Sequence, residues 1–275
     1  MSIRLSAALF CLLPIACAHG PRPDAEPPAA ATDDEQPGHA WSYEGEAGPE
    51  SWAELEGAEC SGTRQSPINI IETRTEFTEQ TVSEAGELHY ADSTHIDSVT
   101  NNGHTIRYDF HPGDNYLVAE DQRFDLMQVH FHAPSEHTIN GVRYPLEMHL
   151  VHRTDEGEFL VYAIMAQQGE PSAEAQFLFR HLPVEPGQTR TVDESHAFED
   201  GGDSTFFYYE GSLTTPPCTE RVHWVVFKEP VSVGEEQLAT LQTLMPKDNY
   251  RDTQPLNGRT VYRGHEPSEV PGSGG

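Results

Sequence analysis

Between residues 68 and 227 short runs of alternating apolar and polar side chains recur, with Gly, Pro, Asn and Asp gathered between them. A period of two sends successive side chains to opposite faces of a strand. Turn residues between such runs separate one strand from the next. Strands are expected over 68–70, 88–91, 105–110, 116–118, 124–132, 146–152, 159–166, 206–209 and 222–227. Helical spacing appears over 173–182 and 233–245, with a single further turn over 51–55. In the second helix Leu238, Leu241 and Leu244 share a side, and Pro246 lies just past its end. The fold class is mainly β, and 275 residues can hold one large domain with a sizeable core.

The most informative stretch is QVHFHAPSEHTINGVRYPLEMHLVH, residues 128–152. His130 and His132 are two apart, so a strand presents both rings on one face while Val129 and Phe131 turn toward a core. In the next run His149 alternates with Met148 and Leu150. Pro134, Asn140-Gly141 and Pro145 interrupt the segment between, which reads as turns joining two neighbouring antiparallel strands. Paired in that way, the three histidines meet at one point. Three neutral nitrogen donors with a fourth position open make a catalytic zinc site. The same period puts Gln128 on the face of His130 and His132, and Glu147 on the face of His149. A metal-bound imidazole needs an acceptor for its second N–H, and these two residues can supply one each. One histidine alone would mean little, since most are surface or core side chains. Three at this spacing, with polar partners on the same face, mean more.

Charge narrows the partners. Asp plus Glu number 45 against 16 Lys plus Arg, a formal charge of −29. Such a surface repels nucleic acid and anionic lipid. The termini read as additions to the globule. Residues 1–17 resemble a signal peptide, with Arg4 followed by an apolar run over 5–15 too short to anchor in a bilayer. Ala16-Cys17 resembles a bacterial lipoprotein cleavage site, although Pro14 stands where that pattern prefers Leu. Lipidation of Cys17 and ordinary cleavage nearby, after Ala18, are the two alternatives. The protein is thus expected to be exported, in the periplasm or as an outer-membrane lipoprotein, touching a membrane only through that anchor. Residues 18–40 form an acidic, Pro- and Ala-rich linker and 266–275 a tail, both expected to be disordered. That leaves 41–265 as the domain, with Cys60 and Cys218 as its lone pair of cysteines, which in an exported protein reads as a disulfide.

Two more constellations carry candidate chemistry. Ser212-Leu213-Thr214-Thr215-Pro216-Pro217 is a rigid extended segment that cannot join a sheet centrally. A hydroxyl there, beside a metal, could take a hydrogen bond from bound hydroxide if a carboxylate accepted its own proton, and Glu136 is the candidate. Asn101-Asn102-Gly103-His104 suits a tight hairpin turn that leaves His104 at the start of the next strand. An exposed histidine there titrates near neutral pH and can relay protons.

Taken together these segments resemble an α-class carbonic anhydrase of bacterial type. The likeness rests on Tyr43, Gly48-Pro49-Glu50-x-Trp52, Arg64-Gln65-Ser66-Pro67-Ile68, Asn101-Asn102-Gly103-His104, Phe131-His132-x-Pro134-Ser135-Glu136-His137, Glu147-x-His149-x-Val151-His152 and the Thr-Thr-Pro-Pro segment. Trp224 and Asn249-x-Arg251-x-x-Gln254-Pro255-Leu256 extend it, so that it covers nearly all of 41–263. The short link Ala133-Pro134-Ser135 is similar to the bacterial and algal branch.

The resemblance implies a twisted, mostly antiparallel sheet of about ten strands with short surface helices. It implies Zn(2+) as cofactor, bound by His130, His132 and His149, with Gln128 and Glu147 behind the first and third. Thr214 would accept from the zinc hydroxide and donate to Glu136, and His104 would shuttle the proton to buffer. Val151, Val161, Leu213 and Trp224 would form the apolar wall for carbon dioxide, with Thr215 on the polar side. Tyr43 and Asn102 would order the waters leading to His104. The implied reaction is reversible hydration of carbon dioxide to bicarbonate, by hydroxide attack, in a monomer or a dimer. A disulfide matching Cys60–Cys218 also belongs to the likeness. Arg107 departs from it, standing where well-known animal members carry an uncharged polar residue; a cation near His104 would lower its pKa. Two other readings compete: a binding module that has lost catalysis on this fold, and a surface lipoprotein that only stores zinc.

Overall fold

The chain is described by a computed structural model that covers residues 41–77, 85–89, 94–196 and 204–266. The expected signal peptide with Cys17, the 18–40 linker, the tail beyond 266 and the end of the 88–91 strand lie outside the described residues. In chain order the first strands are β1 (Asn69–Ile70), β2 (Glu76–Phe77), β3 (Glu87–His89), β4 (Thr94–Asn101), β5 (Ile106–Phe110), β6 (Tyr116–Ala119) and β7 (Gln122–His132). There follow β8 (Thr138–Ile139), β9 (Leu146–Arg153), β10 (Phe159–Gln168), β11 (Gln188–His196), β12 (Ser204–Gly211), β13 (Val222–Val233) and β14 (Tyr262–Glu266). Two α-helices lie wholly among the described residues, α1 (Ala173–Phe179) and α2 (Glu235–Leu244), with a few single 3-10 turns.

Twelve strands make one mixed sheet in the order β11-β4-β5-β7-β9-β10-β13-β12-β14-β2, with β6 joined to β7 and β3 to β6. Most neighbours are antiparallel; β10 with β13 and β14 with β2 are parallel. β1 and β8 form a separate parallel pair. The centre of the sheet has two faces with different tasks. On one face Tyr108, Val129 and Phe131 pack against Phe177 and Phe179 of α1 and Leu238 and Leu241 of α2. The opposite face carries the histidines, and its floor is set by register.

Two rows of residues cross that floor. Arg107 pairs with His130, His130 with His149, His149 with Ala163 and Ala163 with Val226. Two residues along each strand, and so on the same face, Asp109 pairs with Gln128, Gln128 with Val151, Val151 with Val161 and Val161 with Trp224. Each row runs from charged or polar at β5 to apolar at β13. The functional face is thus divided into a polar half and an apolar half by strand order alone.

Several elements differ from the sequence expectation for identifiable reasons. β4 escapes an alternation search because a bulge between Ile96 and Ser98 shifts its parity partway. β13 continues past Pro230, which ends the apolar run, because the β10–β13 register skips there, from Ile164–Phe227 to Ala166–Val231. Val233 consequently closes that strand, and α2 begins at Glu235 behind Gly234. The turn expected over 51–55 is a 3-10 turn at Trp52–Glu54.

Candidate metal centre

His130 and His132 on β7 and His149 on β9 bring one ring nitrogen each to within 4.8 Å of one another. Direct pairing of His130 with His149 is the reason, since opposed side chains on adjacent strands share a face. The nitrogens that face inward are decided by what holds the others. Gln128 Oε1 lies 2.8 Å from His130 Nδ1, and Glu147 Oε1 lies 2.7 Å from His149 Nε2. His132 Nδ1 is 2.7 Å from the main-chain oxygen of Asn249, a partner that no side-chain pattern announces. The inward set is therefore His130 Nε2, His132 Nε2 and His149 Nδ1. The first and third are 3.2 Å apart. A tetrahedral zinc with bonds of about 2.0–2.1 Å separates its ligand atoms by roughly 3.4 Å.

Whether the residues suit such an ion can be judged from the polar atoms left over. His132 Nε2 is buried without a hydrogen-bond partner, pointing into the same space. A buried ring nitrogen in that condition is costly unless something binds it. Burial first, and then the neighbouring His149 and His132, hold the pKa of His130 well below the ordinary value of 6.5. His132 is likewise pushed down, chiefly by burial. Both rings are therefore neutral donors, as a metal requires. The donor set fits zinc.

Behind His149 lies a buried polar chain. Glu147 is fully buried and accepts from the backbone N–H groups of Glu136 and His137, at 2.7 and 2.8 Å, and sits 2.7 Å from His137 Nδ1. Burial pushes its pKa up, but His137 and His149 more than offset this and hold it well below the carboxylate range. His137 Nε2 reaches Tyr209 Oη at 2.7 Å, and that hydroxyl donates to Ser66 Oγ at 2.9 Å. Burial raises the pKa of Tyr209 well above 10.0, so the hydroxyl keeps its proton. Sequence reasoning named Glu147 for this role and overlooked His137, although it lies in the quoted motif.

The hydrogen bond expected from Thr214 to Glu136 is not formed. One oxygen of Glu136 accepts the backbone N–H of Arg251 at 2.9 Å. The other, Oε2, lies 3.4 Å from His132 Nε2 and has no hydrogen-bond partner. Thr214 is buried in the loop between β12 and β13, and Thr215 beside it is half-buried. His104 also differs from expectation. It lies in the turn between β4 and β5, since pairing resumes only at Asn101–Ile106. Asn102 Oδ1 accepts from the N–H groups of His104 and Thr105, and Gly103 adopts φ 86°, so the turn is tightly specified. Trp41 stacks on the His104 ring at 3.9 Å between centroids, with Tyr43 at 6.4 Å. No motif pointed to Trp41. Arg107 is placed opposite His130.

Val151, Val161 and Trp224 are buried in one cluster, with Leu213 packed against it. These four form the apolar border next to the histidines. Cys60 and Cys218 are joined, with Cα atoms 4.9 Å apart. The bond ties the segment after Thr214-Thr215-Pro216-Pro217 to the cluster of Trp52, Trp41 and Tyr43.

A β-sheet floor on which three imidazoles converge, between polar and apolar borders, defines a group of side chains able to hold one metal ion. Residues 47–265 match the family described as eukaryotic-type carbonic anhydrase, and the chain belongs to it. It is 39% identical over 227 residues to a carbonic anhydrase of Klebsiella pneumoniae, covering 80% of this chain and 89% of that one. It is 35% identical to a carbonic anhydrase of Pectobacterium carotovorum over 85% of this chain and 93% of the relative. An α-carbonic anhydrase of Thermovibrio ammonificans, solved with the inhibitor sulfanilamide, superposes with a TM-score of 0.72 and 38% identity. It covers 82% of this chain and 99% of its own. The family is zinc-dependent and acts on carbon dioxide and bicarbonate, and this chain is an enzyme of that class.

Proposed function

We propose that the chain hydrates carbon dioxide reversibly at a zinc ion held by His130 Nε2, His132 Nε2 and His149 Nδ1. The observation that supports this most is the convergence of three ring nitrogens whose opposite N–H groups are all engaged. Zinc in such a site supplies the positive charge that yields hydroxide at neutral pH. The protein's own groups do the rest. Gln128, Glu147 and the Asn249 carbonyl fix the tautomers and the aim of the rings. Val151, Val161, Leu213 and Trp224 offer a neutral, weakly hydrated gas a surface out of water. Thr214, on the loop between β12 and β13, supplies the hydroxyl that orients the attacking oxygen, and Glu136 Oε2, which no hydrogen bond occupies, is the carboxylate oxygen beside His132 Nε2. Thr215 lines the polar side. His104, half-buried at its turn beneath Trp41, passes the released proton outward along waters ordered by Tyr43 and Asn102.

Stopped-flow hydration assays test the reading directly. Purified protein should carry one zinc per chain and turn over carbon dioxide, and both should be lost in His149→Ala or after chelation. His104→Ala should slow turnover mainly in poorly buffered solution and recover with added imidazole buffer. Zinc without turnover would instead favour metal storage. The disulfide supports export to an oxidising compartment, and we place the enzyme in the periplasm or on the outer membrane through Cys17. Fatty-acid labelling that survives Cys17→Ser would remove the anchor.

A further inference from the structure

The reaction converts a neutral gas into an anion, inside a protein whose formal charge is −29. An anion approaching or leaving such a molecule meets an unfavourable long-range field. Within the two rows that cross the functional floor, Arg107 is the one Lys or Arg side chain. It stands directly opposite His130, on the face that carries the histidines, with only 15% of its side chain exposed. Opposed side chains on adjacent strands start from Cβ atoms about 4.5–5.5 Å apart. The guanidinium is thus a fixed, partly desolvated charge beside the metal centre, on the polar side and away from Val151, Val161 and Trp224.

Its orientation is fixed as well. Arg107 Nε lies 2.9 Å from Asp109 Oδ1, and the other oxygen of Asp109 accepts the Ser98 hydroxyl at 3.0 Å. Asp109 belongs to the second row, opposite Gln128, two residues along β5 from the row that holds His130 and His149.

We propose that Arg107 is a specificity-determining residue that draws anions, bicarbonate among them, to the polar side of the metal centre, and that Asp109 sets how strongly it does so. This rests on the function proposed above. The equilibrium between carbon dioxide and bicarbonate fixes the ratio of kcat/KM in the two directions. A change in bicarbonate binding at Arg107 therefore shows as linked changes in KM and kcat for dehydration, and as altered inhibition by other anions.

The test uses the zinc-loaded, full-length protein at fixed ionic strength, with thiocyanate as the probe. Its dissociation constant is measured by calorimetry without turnover, and its inhibition constant during hydration. Arg107→Gln should weaken thiocyanate about fivefold, as expected for loss of one charge at partly screened range. The same variant should raise KM for bicarbonate and kcat for dehydration together. Arg107→Lys should recover at least half of the affinity, because charge matters here more than the fork. Asp109→Asn should shift it the opposite way and bind thiocyanate more tightly than the parent protein. Unchanged affinity in Arg107→Gln, or a shift in the same direction for Arg107→Gln and Asp109→Asn, overturns the inference, since a merely structural pair would weaken the site from either side. Absent hydration activity with thiocyanate still sensitive to both residues would overturn the catalytic reading and leave the anion site standing.

Discussion

Glu147 shows how much of a metal site can hang on one side chain that never touches the metal. Its two oxygens serve His149 and His137 and two backbone N–H groups, all in complete burial. Replacing it by Gln puts an amide where the site needs only acceptors. Zinc affinity should then fall about 10–100-fold, read by competition with a chromogenic chelator, with His149 the least firmly held ligand. Unaltered affinity would mean that the two backbone donors alone hold the loop and the ring. Asn249 is the counterpart for His132. Its side chain donates to the carbonyls of His104 and Phe131 and accepts the N–H of Ala133, while its own carbonyl meets His132. The histidine pair could be read from strand parity, and so could Gln128 and Glu147. Asn249 could not, because its contact with His132 is a main-chain oxygen and carries no residue signature.

At the scale of elements, what alternates could be read and what bends could not. β7 and β9 follow period two through their histidines, so the floor of the site was legible before any coordinate. β11 was missed because an edge strand rich in Gln, Thr, Arg, Asp, Glu and Ser turns only Val192, an isolated apolar residue, toward the core. The β9–β10 pair also sets an acid limit. His152 stands opposite Leu160 and is fully buried, its Nδ1 3.2 Å from the Leu160 carbonyl oxygen. Burial depresses its pKa from 6.5 to about 3. The unfolded chain takes up that proton near pH 6.5 while the folded chain resists it until about pH 3, so acidification between the two favours unfolding. The loss should reach about 4–5 kcal/mol at the acid end. Urea unfolding across that range should lose one proton's worth of slope in His152→Asn; an identical slope would place the acid sensitivity elsewhere.

For the whole molecule, the disulfide spans 158 residues of sequence and fastens the loop after β12 to the aromatic cluster under His104. In the chain-entropy account a closure of that length stabilises by about 5 kcal/mol. Reduction should therefore lower the thermal midpoint by roughly 10 °C or more, measured by calorimetry with and without reductant. A midpoint that does not move would show that burial alone holds the loop. One further consequence comes from where Asn249 and Arg251 sit in the order of synthesis. Both clasp the centre from a later stretch of the chain, and the ribosome releases them long after the three histidines. A nascent polypeptide thus carries the ligands before it owns their clamp, and the aim of the His132 ring is settled only once Asn249 has emerged.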